Sequence, residues 1–142
     1  MGTLAGMSRI WVIALILICI VLNGLGFLWN LFEVVPLYDE IAHFLTPLTL
    51  VVVLSETIYR GGGNDEFFGT QRRTVITGCA IGGVGAVGWE VAEILMDLTG
   101  MPAYNPPLDT ISDVFLGVLG GAVGAWAADR YLDRIFGRTK SA

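Results

Sequence analysis

Four long apolar stretches, separated by short segments rich in polar residues, glycine or proline, dominate the sequence. They cover about residues 10–31, 40–59, 74–97 and 110–128. Each stretch has the roughly 20 residues that an α-helix needs to cross the hydrocarbon of a bilayer. Because lipid offers no hydrogen-bond partner to an exposed backbone, helices are the expected conformation. The pattern predicts an all-α integral membrane bundle of four transmembrane helices.

Composition agrees with a membrane protein and narrows the alternatives. Of 142 residues, 54% are apolar and 15% are charged, and the mean hydropathy is +0.70. We therefore expect a single transmembrane domain over residues 1–142, with the lipid bilayer as its surroundings. The net charge of −5 argues against nucleic acid as a partner. Cys19 and Cys79 both lie inside apolar stretches, which argues against a disulfide framework.

The segments that connect the stretches differ in composition. Glu33–Asp39 is short and contains a proline, Arg60–Arg73 is glycine-rich and expected to be flexible, and Leu98–Leu108 is rich in proline. After the fourth stretch, charged and apolar residues alternate over residues 129–138. That alternation predicts a short amphipathic C-terminal helix at the membrane interface.

All basic residues fall on one side of the membrane if each of the four predicted helices crosses it. They are Arg9, Arg60, Arg72, Arg73, Arg130, Arg134, Arg138 and Lys140. Because arginine and lysine accumulate on the cytoplasmic side, both termini and the second connection are predicted to be cytoplasmic. The first and third connections then face outward, on a side that carries no basic residue.

Acidic residues and the single histidine gather at the outer ends of three predicted helices. On each helix they are three or four residues apart, which places them on one helical face. The groups are Asp39 with His43, Glu90 with Glu93 and Asp97, and Asp109 with Asp113. Ionisable residues within a membrane span are costly and usually face a cavity or a partner. We therefore expect His43, Glu93 and Asp113 to share a pocket just beneath the outer surface.

Small residues accompany these acidic faces. On the fourth helix they are Gly117, Gly120, Gly121 and Gly124, and on the third they are Gly82, Gly83 and Ala86. Small residues let helices pack closely in lipid, so the acidic faces are predicted to point into the bundle. The first helix carries a less polar stripe that is expected to pack against the same acidic cluster. The stripe consists of Asn23, Gly26, Asn30 and Glu33.

Several carboxylates around one imidazole require neutralisation, because two like charges about 4 Å apart repel by roughly 4 kcal/mol at an effective dielectric of about 20. Protons or a divalent cation can supply it, and we favour the cation. Oxygen donors with one imidazole suit Mg, Ca or Mn and are compatible with Zn or Fe. The predicted ligands are Asp39, His43, Glu93, Asp109 and Asp113, with Glu90 as the predicted catalytic base towards a bound water.

Simpler interpretations remain open for three of the acidic residues. Asp39 and Asp109 each follow a proline-containing segment at a helix start, where an acidic residue is expected for capping alone. Asp97 is also explained as a solvated residue at a helix end.

Three motifs carry a family resemblance. They are Y-D-E-I-A-H-F at Tyr38–Phe44, W-E-V-A-E at Trp89–Glu93 and D-T-I-S-D-V-F-L-G-V-L-G-G at Asp109–Gly121. In this order they resemble the VanZ-like membrane proteins, including the related YjdF-type inner-membrane family. The resemblance implies a multi-pass protein of a bacterial or archaeal plasma membrane with a role in the cell envelope, such as glycopeptide-antibiotic tolerance. Glu40 stands where relatives frequently have a basic residue, which makes this site more negative and a bound cation more attractive.

Three functions fit these observations. The first is a metal-dependent hydrolase that acts on a lipid or lipid-linked envelope substrate. The second is a non-catalytic membrane module, and the third is a small cation- or proton-coupled carrier, which four helices would form as a homo-oligomer. A phosphatase that clamps its substrate with arginines is disfavoured, because the outer side carries no arginine. The lone histidine excludes a bis-histidine haem site.

Overall fold

A computed structural model of the chain describes residues 2–62, 70–100 and 106–135. Within these ranges the chain is helical and has no strand. The helices are α1 (Gly2–Leu28), α2 (Leu31–Val34), α3 (Tyr38–Gly62), α4 (Gln71–Leu98) and α5 (Pro107–Ile135). The predicted second and third connections fall largely on residues 63–69 and 101–105, which lie outside the described ranges.

Three of these helices are long and apolar enough to cross a membrane. The spans are Tyr38–Ser55, Gln71–Leu98 and Pro107–Asp129, and α1 contains a shorter apolar stretch at Ile13–Leu28. The bundle exposes large apolar side chains, such as Val84 on α4 and Phe115 on α5, as lipid-facing helices do. The all-α fold is therefore confirmed for the described residues, with three helices that are candidate membrane spans. Membrane crossing by α1 and the orientation of the termini stay predictions.

The first helix ends earlier than predicted. α1 stops at Leu28, and Asn30 has a φ of 54°, a left-handed conformation that asparagine tolerates better than most residues. The chain turns there and forms the short α2, so Asn30 and Glu33 are exposed rather than aligned with Asn23. The prediction of one continuous polar stripe leaning on the acidic cluster is therefore wrong.

The C-terminal segment is helical, as predicted, but it is not a separate helix. α5 runs without interruption from Pro107 to Ile135. No glycine or proline occurs between Ala125 and Ile135, so nothing in the sequence ends the helix after its membrane span. The predicted short helix is therefore a continuation of α5 in the described part, and its location at the membrane interface stays a prediction. Residues 136–142 lie outside the described part.

Glycines allow α4 and α5 to approach backbone to backbone. Gly78 and Gly82 of α4 face Gly121 of α5, and a Cβ added to Gly121 would lie 2.8 Å from the Cα atom of Gly82. Gly117 packs in the same way against Ala86, one turn closer to the acidic end of the helices. Side chains of any size would push the helices apart, so the pair depends on this small-residue contact.

A second glycine pair of α5 contacts α3. Gly120 lies against the carbonyl of Phe44, and a Cβ added to Gly124 would lie 2.6 Å from the carbonyl oxygen of Leu48. α5 therefore packs tightly on both neighbours and forms the centre of the bundle. These contacts confirm that the glycine-bearing face of α5 points into the protein, and Asp113 on the same helix is fully buried.

Polar contacts attach α1 to α3. Asn23 Nδ2 donates to Thr46 Oγ1 at 2.9 Å and to the carbonyl of Cys19 at 2.9 Å. The Tyr38 hydroxyl donates to the carbonyl of Leu22 at 2.7 Å. In lipid, where apolar contact gives no preference for protein over solvent, such hydrogen bonds help to fix one helix against another.

Replacing Asn23 by alanine is expected to lower the free energy of unfolding by about 0.6–1 kcal/mol, because among the described residues the interhelical hydrogen bond that is lost is the one to Thr46. Thermal unfolding in detergent measures the change. Thr57→Ala is the matched control, since Thr57 Oγ1 donates only to Val53 of its own helix at an exposed position. Equal losses in both variants would show that the Asn23 contact does not hold α1 to α3.

Candidate metal centre

Four ionisable side chains from three helices are almost completely buried. Relative exposures are 6% for His43 on α3, 5% for Glu90 and 7% for Glu93 on α4, and 0% for Asp113 on α5. Asp39, one turn before His43, has a side-chain exposure of 17%. The structure therefore brings together the three residues that the sequence placed in a common pocket, together with Asp39 and Glu90.

One trio of donors forms on the Nε2 side of the imidazole. His43 Nε2 lies 3.4 Å from Asp39 Oδ1 and 4.0 Å from Asp113 Oδ2. Each of the three residues offers an atom within 4.8 Å of the atoms offered by the other two. We call Asp39, His43 and Asp113 the first trio.

A second trio shares only the histidine with the first. His43 Nδ1 lies 4.0 Å from Glu90 Oε1, and Glu93 completes a group whose donor atoms are within 4.8 Å of one another. Trp89 Nε1 donates to Glu93 Oε1 at 2.9 Å and so fixes one oxygen of that carboxylate. We call His43, Glu90 and Glu93 the second trio. The imidazole thus stands between two carboxylate pairs.

Four buried polar atoms of this cluster have no hydrogen-bond partner among the described residues. They are His43 Nε2, Glu90 Oε1, and both carboxylate oxygens of Asp113. Buried polar groups in proteins are nearly always paired, and each unpaired one costs about 1–3 kcal/mol. Unpaired lone pairs that converge from different helices are the arrangement that a cation satisfies. The donor chemistry therefore fits a divalent ion.

Local sequence explains how α3 and α5 present these groups. Pro36 precedes α3, and Asp39 lies in its first turn, where the helix dipole favours a carboxylate. Pro107 starts α5, as proline often does at a first helical position, and Asp113 follows near the end of the second turn. Pro47 lies four residues after His43 and has no N–H, so the carbonyl of His43 lacks its intrahelical donor.

Asp109 lies apart from both trios. It lines an outer cavity of about 250 Å³ together with the acidic residues Glu33, Asp39 and Glu40 and the backbone between α2 and α3. Asp39 is therefore shared between this outer cavity and the first trio. Asp97 is exposed at the end of α4 and belongs to neither place.

A separate apolar cavity of about 80 Å³ lies on the other side of His43. Residues of α1 to α4 line it, among them Asn23, Phe32, Ala42, Thr46, Leu50, Gly85, Ala86 and Trp89. A row of aromatic rings borders it, with centroid distances of 5.6 Å for Trp89–Phe27, 5.3 Å for Phe27–Phe32 and 5.6 Å for Phe32–Tyr38. The row connects the acidic end of α4 with the start of α3.

From the sequence, Trp89 was expected either to wall the site or to face lipid, and the structure places it against Glu93 and the apolar cavity. Sequence reasoning did not assign roles to Phe32 and Thr46. The signal for Thr46 was present in the spacing, because it follows His43 by three residues and so shares a helical face with it. Phe32 had no such signal, because its position depends on the turn after α1.

Comparison with known protein families gives a match over most of the chain. A family described as "Predicted membrane protein (DUF2238)" matches the chain over residues 5–134, which include all of the residues in both trios. No curated protein and no solved structure matches. The family description agrees with the membrane-type helices and carries no statement about a reaction or a ligand.

Proposed function

We propose a function for this chain from the premise that it belongs to the DUF2238 family of predicted membrane proteins. The proposal is a metal-dependent hydrolase that works in the plasma membrane of a bacterium or archaeon on a lipid or lipid-linked envelope substrate. The observation that carries it is the set of buried N and O atoms around His43 that have no hydrogen-bond partner in the described part of the chain. The envelope role and the outward-facing site follow the VanZ-like resemblance and the distribution of basic residues.

The first trio is the proposed cation site. A cation with ligand bonds of about 2.0–2.6 Å needs donor atoms roughly 3–5 Å apart, depending on the angle between the bonds. The separations of 3.4 Å and 4.0 Å from His43 Nε2 to Asp39 and Asp113 lie in this range. Two carboxylates and one neutral imidazole favour Mg, Ca, Mn or Zn. A bound divalent cation would attract both carboxylates of the trio and so outweigh the repulsion between them.

The second trio supports the first. A metal-bound histidine usually donates its other ring nitrogen to a carboxylate, which fixes the tautomer and the orientation of the ring. Glu90 lies on that side of the ring, with its Oε1 4.0 Å from His43 Nδ1, which is longer than a direct hydrogen bond. Glu93 is fixed by its hydrogen bond from Trp89. Glu90 is the proposed proton acceptor, because its Oε1 is buried beside the cluster and has no hydrogen-bond partner among the described residues.

The proposed reaction is hydrolysis of an ester or phosphoester. A cation at the first trio would polarise the substrate oxygen and lower the pKa of a water molecule. The water oxygen forms the new bond to carbon or phosphorus, and its proton passes to Glu90. The bond to the leaving oxygen breaks, and that oxygen takes up the proton. The cation replaces the arginines that other enzymes use against a developing negative charge.

Elemental analysis of the purified protein tests this proposal. Protein purified in detergent is expected to contain roughly one divalent cation per chain, and His43→Ala is expected to lose it, because His43 belongs to both trios. Asp97→Asn is the matched control, since Asp97 is an exposed carboxylate on α4. A folded wild-type protein without metal, whose melting temperature does not respond to added divalent cations, would contradict the proposal.

A further inference from the structure

The apolar cavity and the metal centre meet at one side chain. His43 lines the cavity and belongs to both trios, so a molecule bound in the cavity would have one end at the imidazole. The cavity lies between residues of membrane-spanning segments on α3 and α4. Leu50 also lines the cavity, and because it is 42% exposed it reaches the outside of the bundle.

Two polar side chains of the cavity wall are hydrogen-bonded to each other. Asn23 Nδ2 donates to Thr46 Oγ1 and to the carbonyl of Cys19. An ordered water needs about two to four polar partners, and these walls supply few beyond the imidazole. The remaining lining is aliphatic or aromatic, with Leu50, Phe32 and Trp89 as the larger side chains. An occupant of this space is therefore apolar over most of its length.

Small residues create the room. Gly85 and Ala86 on α4 and Ala42 on α3 line the cavity where larger side chains would fill it. A Cβ added to Gly85 would be 3.7 Å from Leu50 Cδ2, an ordinary contact, so α4 has no need of glycine here to pack against α3. The glycines facing α5 differ, since there an added Cβ meets backbone.

We propose that this cavity binds the apolar chain of an amphipathic lipid whose polar group lies at the metal centre. The proposal rests on the proposed function and adds how the substrate is held, with its chain entering sideways from the bilayer past Leu50. The acidic outer cavity, which contains Asp39, Glu40 and Asp109, takes no part in holding the chain. The apolar lining of the cavity favours an acyl chain over a headgroup.

Photo-crosslinking in vesicles tests the proposal. The protein is reconstituted in phosphatidylethanolamine and phosphatidylglycerol, with a phosphatidylethanolamine that carries a diazirine in one acyl chain as the probe. Labelled residues are identified by mass spectrometry. Label is expected on Ala42 and Ala86, which are only 3% and 2% exposed and cannot be reached by lipid that merely surrounds the bundle. Label confined to exposed residues such as Val84 and Val91 would overturn the proposal.

Filling the cavity supplies the second measurement. Gly85→Leu is expected to abolish the label on Ala42 while Gly88→Leu leaves it unchanged, because a Cβ on Gly88 has nothing within 4 Å. Leu50→Phe fills the same space from α3 and replaces Gly85→Leu if that variant does not fold. Unchanged label on Ala42 in the filled variant would contradict the proposal. Metal content in the same preparations distinguishes a failure of the lipid-chain proposal from a failure of the cation proposal, since cavity filling is expected to leave the cation bound.

Discussion

Replacing Asp113 by asparagine is expected to weaken divalent-cation binding by at least about 100-fold, because even partners that only support a ligand contribute 10- to 100-fold. Asp113 is fully buried, and neither of its carboxylate oxygens has a hydrogen-bond partner among the described residues. Asparagine preserves the size of the side chain but removes its charge and one oxygen donor. Isothermal titration of chelator-stripped protein with Mn²⁺ and with Zn²⁺ measures the loss.

Two other aspartates of α5 define the specificity of that result. Asp129→Asn is the matched control, since Asp129 is exposed and distant along the helix from the cluster. The cation affinity of this variant is expected to equal that of the wild type. Asp109→Asn is expected to weaken binding by less than about tenfold, because Asp109 lies outside both trios and acts through screened, longer-range attraction. Wild-type affinity in Asp113→Asn would refute a cation at the first trio.

The melting temperature of Asp113→Asn provides a second test of the cation site. A cation present at about 100 times its dissociation constant stabilises the folded protein by about 2.7 kcal/mol. A chelator is therefore expected to lower the melting temperature of the wild type and to leave that of Asp113→Asn unchanged. If instead the cluster only holds helices together, Asp113→Asn changes the melting temperature equally with and without chelator.

Gly121→Ala is expected to destabilise the bundle by about 1–3 kcal/mol, near the upper end of that range, because the added Cβ meets backbone rather than a side chain that can move. That Cβ would lie 2.8 Å from the Cα atom of Gly82 and would also contact the carbonyl of Gly78. α4 must then move away from α5, which separates Glu90 from Asp113. Thermal unfolding in detergent, followed by metal analysis of the folded fraction, measures both effects.

Gly88→Ala is the control for that substitution. Gly88 lies on α4, one of the two helices of this contact, but it is exposed, and a Cβ there has nothing within 4 Å. Its melting temperature is expected to equal or slightly exceed that of the wild type, since alanine is the better helix former. If both glycine variants melt like the wild type, the close contact between α4 and α5 does not stabilise the fold.

The sequence predicted those parts of the site that depend on helical spacing. Asp39 and His43 are four residues apart on α3, and Glu90 and Glu93 are three apart on α4. Each pair therefore shares one helical face, independently of the conformation of the loops. Hydrophobic length predicted where the helices run, and the glycines of α5 predicted that Asp113 points inward. The predicted ligand Asp109 shares the face of Asp113, yet the structure places it at the outer cavity because it lies one turn nearer the helix start.

Other features depended on geometry that spacing does not encode. The left-handed conformation of Asn30 ends the regular path of the first helix, and no hydrophobic pattern reports a single backbone angle. Which carboxylates lie near each imidazole nitrogen of His43 depends on how α4 and α5 are rotated about their axes. Spacing gives no such rotation, so the division of the carboxylates between Nε2 and Nδ1 of His43 became visible only in the structure.

Proline at position 47 has a mechanical consequence for the centre. The missing amide hydrogen removes one rung from the α3 hydrogen-bond ladder below His43, so the outermost turns of that helix are tied less firmly to the turns below. Asp39 and His43 lie on those outer turns, whereas Leu48 and its contact with Gly124 lie beyond the missing bond. The part of α3 that carries both residues is thus joined to the Leu48–Gly124 contact by one hydrogen bond fewer than a regular helix has.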